Sequence, residues 1–122
     1  MNLQRRHARA LLVLDGPALG RSLPADVLRH CVQLSPRLDI LLVNPPRETT
    51  SLLAVLLLRL EHSGIDYRIA SAHGEIGEEI LSYLSRHRGI TALALIDFAQ
   101  LSAETLGLIE LKGPQLISLA TA

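Results

Sequence analysis

Two aspartates follow apolar runs in this chain, Asp15 after Ala10 to Leu14 and Asp97 after Ile90 to Ile96. Placed together at a strand end, such carboxylates could hold a cation, accept a phosphoryl group or act as an acid. The competing role is local: an Asp just past a strand caps the next turn or helix, and that is the role we expect for both. Glu75, Glu78 and Glu79 could form an acid–base cluster. Acids in the first turn of a helix are, however, what the helix dipole favours. Cys31 has only His30 as a basic neighbour and lies on an apolar helical face, so it reads as a small buried hydrophobe rather than a nucleophile. His7, His30, His62, His73 and His87 show no metal-ligand spacing. With no nucleophile–base pair and no phosphate clamp, we expect no enzyme, no catalytic residue and no metal.

The elements that must position these groups are clearest from Ile65 to Asp97. Tyr67 to Ala72 is an extended run, and Gly74 and Gly77 punctuate the turn that follows. Ile76, Ile80, Leu81, Tyr83 and Leu84 recur at helical spacing; Arg86, His87 and Arg88 put positive charge at the helix end, and Gly89 can take a left-handed cap. Ile90 to Ile96 is then a short apolar run suited to a strand buried on both faces of a parallel sheet.

The rest of the chain repeats this alternation. Ala10 to Leu14 predicts strand one, closed by Asp15-Gly16-Pro17; Pro24, Asp26, Val27, Leu28, Cys31 and Val32 predict a helix to about Leu34. Leu38 to Val43 predicts strand two, stopped by Asn44-Pro45-Pro46. Thr49, Thr50 or Ser51 caps a helix through Glu61 or His62, ended by Gly64. Ser102 caps a short helix through Leu111, and Gln115 to Ala120 supplies strand five. Five strands alternating with four helices imply one α/β domain over residues 1–122: an open five-stranded parallel sheet with helices on both faces, Rossmann-like. Residues 1–9, with Arg5, Arg6, His7 and Arg9, read as a flexible, solvated leader.

Composition narrows the partners. Twelve basic and twelve acidic side chains cancel, which removes the electrostatic footprint of a nucleic-acid binder or a polybasic membrane protein. Tyr67, Tyr83 and Phe98 are the only aromatic residues, so there is no base-stacking platform. The most apolar window, Leu52 to Leu60, is about half the length needed to span a bilayer. No internal disulfide is possible with one Cys, and no secretory signal follows Met1, so the expected location is cytoplasmic. The leucines of the Leu52–Leu60 window cover more than one helical face, which calls for a second cover, either a partner subunit or the leader.

ALLVLDG at Ala10 to Gly16, DILLVNPP at Asp39 to Pro46 and HGEIGEEILSYLSRHRGITALALID at His73 to Asp97 together resemble the universal stress protein family, over nearly the whole chain. The resemblance implies strand order 3-2-1-4-5, and an adenosine pocket lined at the positions of Asp15 and Val43. It also implies a glycine-rich phosphate loop after strand four, ending in Gly-Ser or Gly-Thr. This chain departs from that loop: only Gly107 and Gly113 lie between strands four and five, and no Gly-Ser or Gly-Thr pair follows. Backbone N–H groups converge on a phosphate only where no Cβ intervenes. A receiver domain is a poorer match, because Asn44 stands where LDILLVN would need the phosphoacceptor Asp.

The expected function is therefore a universal-stress-protein-like regulatory or interaction module without a cofactor and without ATP binding. The alternative is a stress-response switch that binds ATP or AMP through Asp15 and Val43. Strand five would be a sheet edge with no Lys or Pro in its middle, open to pairing. The resemblance implies a homodimer through this strand. A further protein is a candidate partner; nucleic acid and membrane are not.

Overall fold

The computed structural model describes residues 8–16, 37–46, 51–95 and 98–119. Its elements run β1 (Arg9–Asp15), β2 (Arg37–Val43), α1 (Ser51–His62), β3 (Asp66–Ala72), α2 (Ile76–Arg86), β4 (Ile90–Leu95), a 3-10 turn (Phe98–Gln100), α3 (Ala103–Leu111) and β5 (Gln115–Ser118). The helix expected over residues 24–34, with Cys31 on it, lies outside the described residues, as do His7, His30 and Asp97.

All five strands are parallel, in the order β3-β2-β1-β4-β5 that the resemblance implies. The apolar runs explain which strands are central. Ala10 to Leu14 are all fully buried, because alternate residues serve opposite faces and both faces are covered. Ala10, Leu12, Leu14, Leu38 and Ile40 pack under Leu53, Leu56 and Leu60 of α1. Leu11, Val13, Leu41, Val43, Leu93 and Leu95 meet Ile80 and Tyr83 of α2 and Ile109 of α3 on the other face. The result is a three-layer α/β/α sandwich. No helix among the described residues is long and apolar enough to cross a membrane.

Turn chemistry fixes the helix ends. After α1, Ile65 N–H donates to Leu60 O and Gly64 N–H to Glu61 O, with Gly64 at φ 73°. This is the paired-bond helix stop that needs a left-handed residue, and buried Ile65 and Leu60 add its usual apolar contact. α2 ends differently from expectation: His87 is an extended C-cap, and Gly89, at φ 90°, lies two residues farther on, in the turn into β4. β5 stops at Ser118, although Leu119 N–H still donates to Leu95 O, which extends contact with β4 by one residue.

Arg9 corrects the sequence reading. It is the first residue of β1 rather than the end of a solvated leader, and it is buried. The expected surplus of leucine on α1 is seen in part: Leu53, Leu56 and Leu60 face the sheet, while Val55 and Leu58 are about half exposed, at 48% and 55%.

Candidate functional site

Parallel strands bring all their C-terminal ends to one edge, and the strand order reverses between β1 and β4. In such sheets the ligand crevice opens at that point. Asp15 closes β1 there, partly buried, and is in register with Val43 of β2. The Val43 side chain has 0% exposure and belongs to the core under α2, so position 43 can meet a crevice ligand only through its backbone. Whether Asp97 joins Asp15 lies outside the described residues.

Three turns are fastened together at this edge. Asn44, at φ 51°, donates from Nδ2 to Gly74 O at 2.7 Å and accepts at Oδ1 from Gly74 N–H at 3.0 Å. Its own N–H donates to Ala72 O at 2.8 Å. The amide thus carries the β2–β3 ladder one step past the strands, and Asn is among the few non-glycine residues that tolerate this backbone region. Gly16 lies against the same residue: a Cβ there would sit 2.6 Å from Asn44 O, so only glycine fits.

The start of α2 would be the natural place for a phosphate, since free N–H groups and the positive dipole end both favour an anion. A carboxylate of the chain itself already occupies it. Glu75 is the N-cap, and its Oε1 and Oε2 accept from Gly77 N–H at 2.9 Å and Glu78 N–H at 2.8 Å. Gly77 is pressed against α3, where an added Cβ would meet Thr105 Cγ2 at 2.7 Å. α3 is also capped from within, by Ser102 Oγ accepting from Thr105 N–H at 3.1 Å. Asp15, Glu75, Glu78, Glu79 and Glu104 all belong to this end of the sheet. The three glutamates of α2 therefore take the capping and dipole roles expected of them, not the geometry of an acid–base pair.

The opposite edge holds a cluster that sequence reasoning missed. Asp39, inside β2, is fully buried. Arg68 of β3, its register partner, donates to it from Nε at 2.9 Å and Nη2 at 2.7 Å; Tyr83 of α2 donates from its hydroxyl at 2.6 Å, and Arg9 adds a hydrogen bond from Nε. Arg9 also reaches Leu38 O at 3.3 Å and Asp66 Oδ2 at 3.4 Å. Burial pushes the Asp39 carboxyl up, but the hydrogen bonds from Arg68, Tyr83 and Arg9 outweigh it and hold the group below its ordinary value. Burial, and then the bond to that carboxylate, push the Tyr83 phenol well above its ordinary value. Among the described residues no buried side-chain polar atom lacks a partner. The cluster is closed on itself, and what it does is hold three strands and a helix in one register.

His62 and His87 end α1 and α2 at this same edge, whereas His73 follows β3 at the other. Among the described residues no group of three or more His, Cys, Asp or Glu side chains could hold a metal ion. No protein-family model, no curated protein and no solved structure matches the chain.

Proposed function

We propose that the chain is a universal-stress-protein-like regulatory or interaction module that does not use ATP and is not an enzyme. The observation that carries this reading is the Glu75 carboxylate seated on the first N–H groups of α2. A phosphate at that helix start would have to displace a covalently tethered anion and enter beside Asp15, Glu78 and Glu79. The segment between β4 and β5 adds to this, because its two glycines, Gly107 and Gly113, are in and just after α3 and form no loop around an anion. Equilibrium titration with ATP, ADP and AMP is expected to show no saturation at micromolar nucleotide. A dissociation constant in the low micromolar range would establish the alternative, a nucleotide switch that meets adenosine at Asp15 and the backbone of Val43.

The module is proposed to work as a homodimer through β5. Two features support this: among the described residues β5 is the last strand in the sheet order, and α3 beside it exposes Leu108 and Leu111, the latter at 84%. An isologous pairing of β5 with its copy would join the two sheets edge to edge. Sedimentation of the parent chain should give a dimer, and Ile117→Lys and Leu111→Lys should each shift it to monomer. A parent that sediments as a monomer overturns the assembly.

A further inference from the structure

Beside the closed Asp39 cluster, where α2 and α3 end, there is a cavity of about 360 Å³. That is within the range of small-ligand sites, which begin at roughly 300 Å³. Its lining comes from two elements and the turn into β4: Leu84, Ser85, His87, Arg88 and Ile90, with Lys112 from α3. We propose that this cavity binds a small oxyanion, a carboxylate or phosphate on a short apolar body, and that this is where the module senses a metabolite.

The lining is divided in a way that suits such a ligand. Leu84 and Ile90 are partly buried and pack against the α2-side core, which gives an apolar floor smaller than the polar part of the lining. Lys112 and Arg88 are exposed cations at the rim. Lys112 Nζ donates to Ser85 Oγ at 3.0 Å, while Ser85 Oγ donates to Leu81 O at 2.9 Å. The ammonium is thus held over the cavity by one of its three donors, and the other N–H groups remain for a ligand. Arg88 has no hydrogen bond or ion pair among the described residues, so its guanidinium fork is uncommitted. The His87 ring is stacked on Tyr83 with centroids 4.0 Å apart, and Tyr83 is itself pinned to Asp39. One wall of the cavity is therefore anchored, through Tyr83, to the buried Asp39 carboxylate.

A simpler reading is that these cations only offset the helix dipoles. Magnitudes weigh against that as their whole role. Two helix C-termini bring roughly half a negative charge each, while Arg88 and Lys112 each bring a full positive charge, and Arg86 in the last turn of α2 adds a third. Glu110, in the last turn of α3, offsets one of these charges, and about one positive charge is left beside the cavity.

The test is titration of the ¹⁵N-labelled chain with three probes, inorganic phosphate, phenyl phosphate and benzoate, followed by amide shifts. Saturable shifts confined to Ser85–Ile90 and Lys112 are expected, with phenyl phosphate or benzoate binding more tightly than inorganic phosphate because of the apolar floor. Of those two, the tighter binder identifies the head group. Replacing both rim cations, Arg88→Ala with Lys112→Ala, should weaken binding about tenfold or more. Arg59→Ala, at the same edge but on α1 across the sheet, should leave it unchanged. Absence of saturation, shifts spread over every basic residue at this edge, or a double variant that binds like the parent would overturn the site. None of these outcomes bears on ATP at the opposite edge.

Discussion

The two edges of the sheet treat charge in opposite ways. At the edge where strands begin, opposite charges are paired: buried Asp39 receives buried Arg9 and Tyr83 and half-exposed Arg68. At the edge where strands end, the Asp and Glu side chains face no Lys or Arg among the described residues, and those of α2 are tied up locally. Glu75 caps its own helix, and Glu78 and Glu79 lie in the positive first turn. The difference follows from chain direction. In an all-parallel α/β sheet every helix starts at one edge and finishes at the other, so acids suited to helix starts collect on the first and bases suited to helix ends on the second. Among the described residues charge is thereby divided, acid-rich at the crevice and base-rich, though mixed, at the opposite edge.

The first way to break the contrast is to remove the shared acceptor. Asp39→Ala leaves Arg9, buried in β1, with only the exposed Asp66 carboxylate at 3.4 Å. Orphaning one partner of a buried ion pair costs about 3–5 kcal/mol, so urea unfolding should show a larger loss than Tyr83→Phe or Glu75→Ala produces. The companion variant Asp39→Leu with Arg9→Leu and Tyr83→Phe, which leaves no buried donor without its acceptor, should recover most of that loss, since an apolar replacement of similar volume is often neutral. If this triple variant is as unstable as the single one, the loss comes from strand register and not from an orphaned polar group.

Why the sequence showed one edge and not the other is clear from these residues. Strand and helix positions follow from local signals. The run Ala10 to Leu14 can only be a two-faced strand, Ser102 caps α3 as its position suggests, and Gly64 ends α1. The acidic α2 start was legible for the same reason, because Glu75 is bonded to residues two and three positions away. Asp39 is bonded to residues about 30 and 44 positions away, and their meeting depends on the register of three strands and the seating of α2. One local sign was present: an acid inside the otherwise apolar run Leu38 to Val43 must find partners if the strand is buried on both faces. Arg9, the first residue of β1, answered it, but a basic residue that opens the strand and those just before it look alike in sequence. Asn44 read only as a strand stop, because its bonds to Gly74 form across two connections.

A smaller break targets one donor in the cluster. Tyr83→Phe keeps the ring against His87 and removes the hydroxyl from Asp39 Oδ2. A hydrogen bond to a charged group contributes about 1.5–3 kcal/mol, and that loss is expected near neutral pH. The pH dependence has a definite sign. The folded Tyr83 phenol titrates above its ordinary value of 10.0, so its contribution is full below pH 10 and is lost as pH rises from there through the folded value. Parent and variant should therefore converge in stability above pH 10. Tyr67, which is present in both chains, cancels from the difference. Curves that stay parallel into strong alkali would mean that the hydroxyl is not what Asp39 holds.

The smallest expected effect probes the other edge. Glu75→Ala removes the carboxylate that caps α2, and loss of an N-cap side chain costs typically about 1 kcal/mol. The cost should be confined to the helix start. Amide exchange should quicken at Gly77 and Glu78, the two N–H groups that lose their acceptor, while the strands of the Asp39 cluster keep their protection. The same variant sharpens the functional contrast, because it uncovers an anion-receptive helix start at the crevice. If the tethered carboxylate is what excludes phosphate, Glu75→Ala should bind inorganic phosphate or AMP measurably better than the parent. If affinity for both stays as low as before, the exclusion comes from the remaining acids, and adding Glu78→Gln and Glu79→Gln is the step that should then raise it.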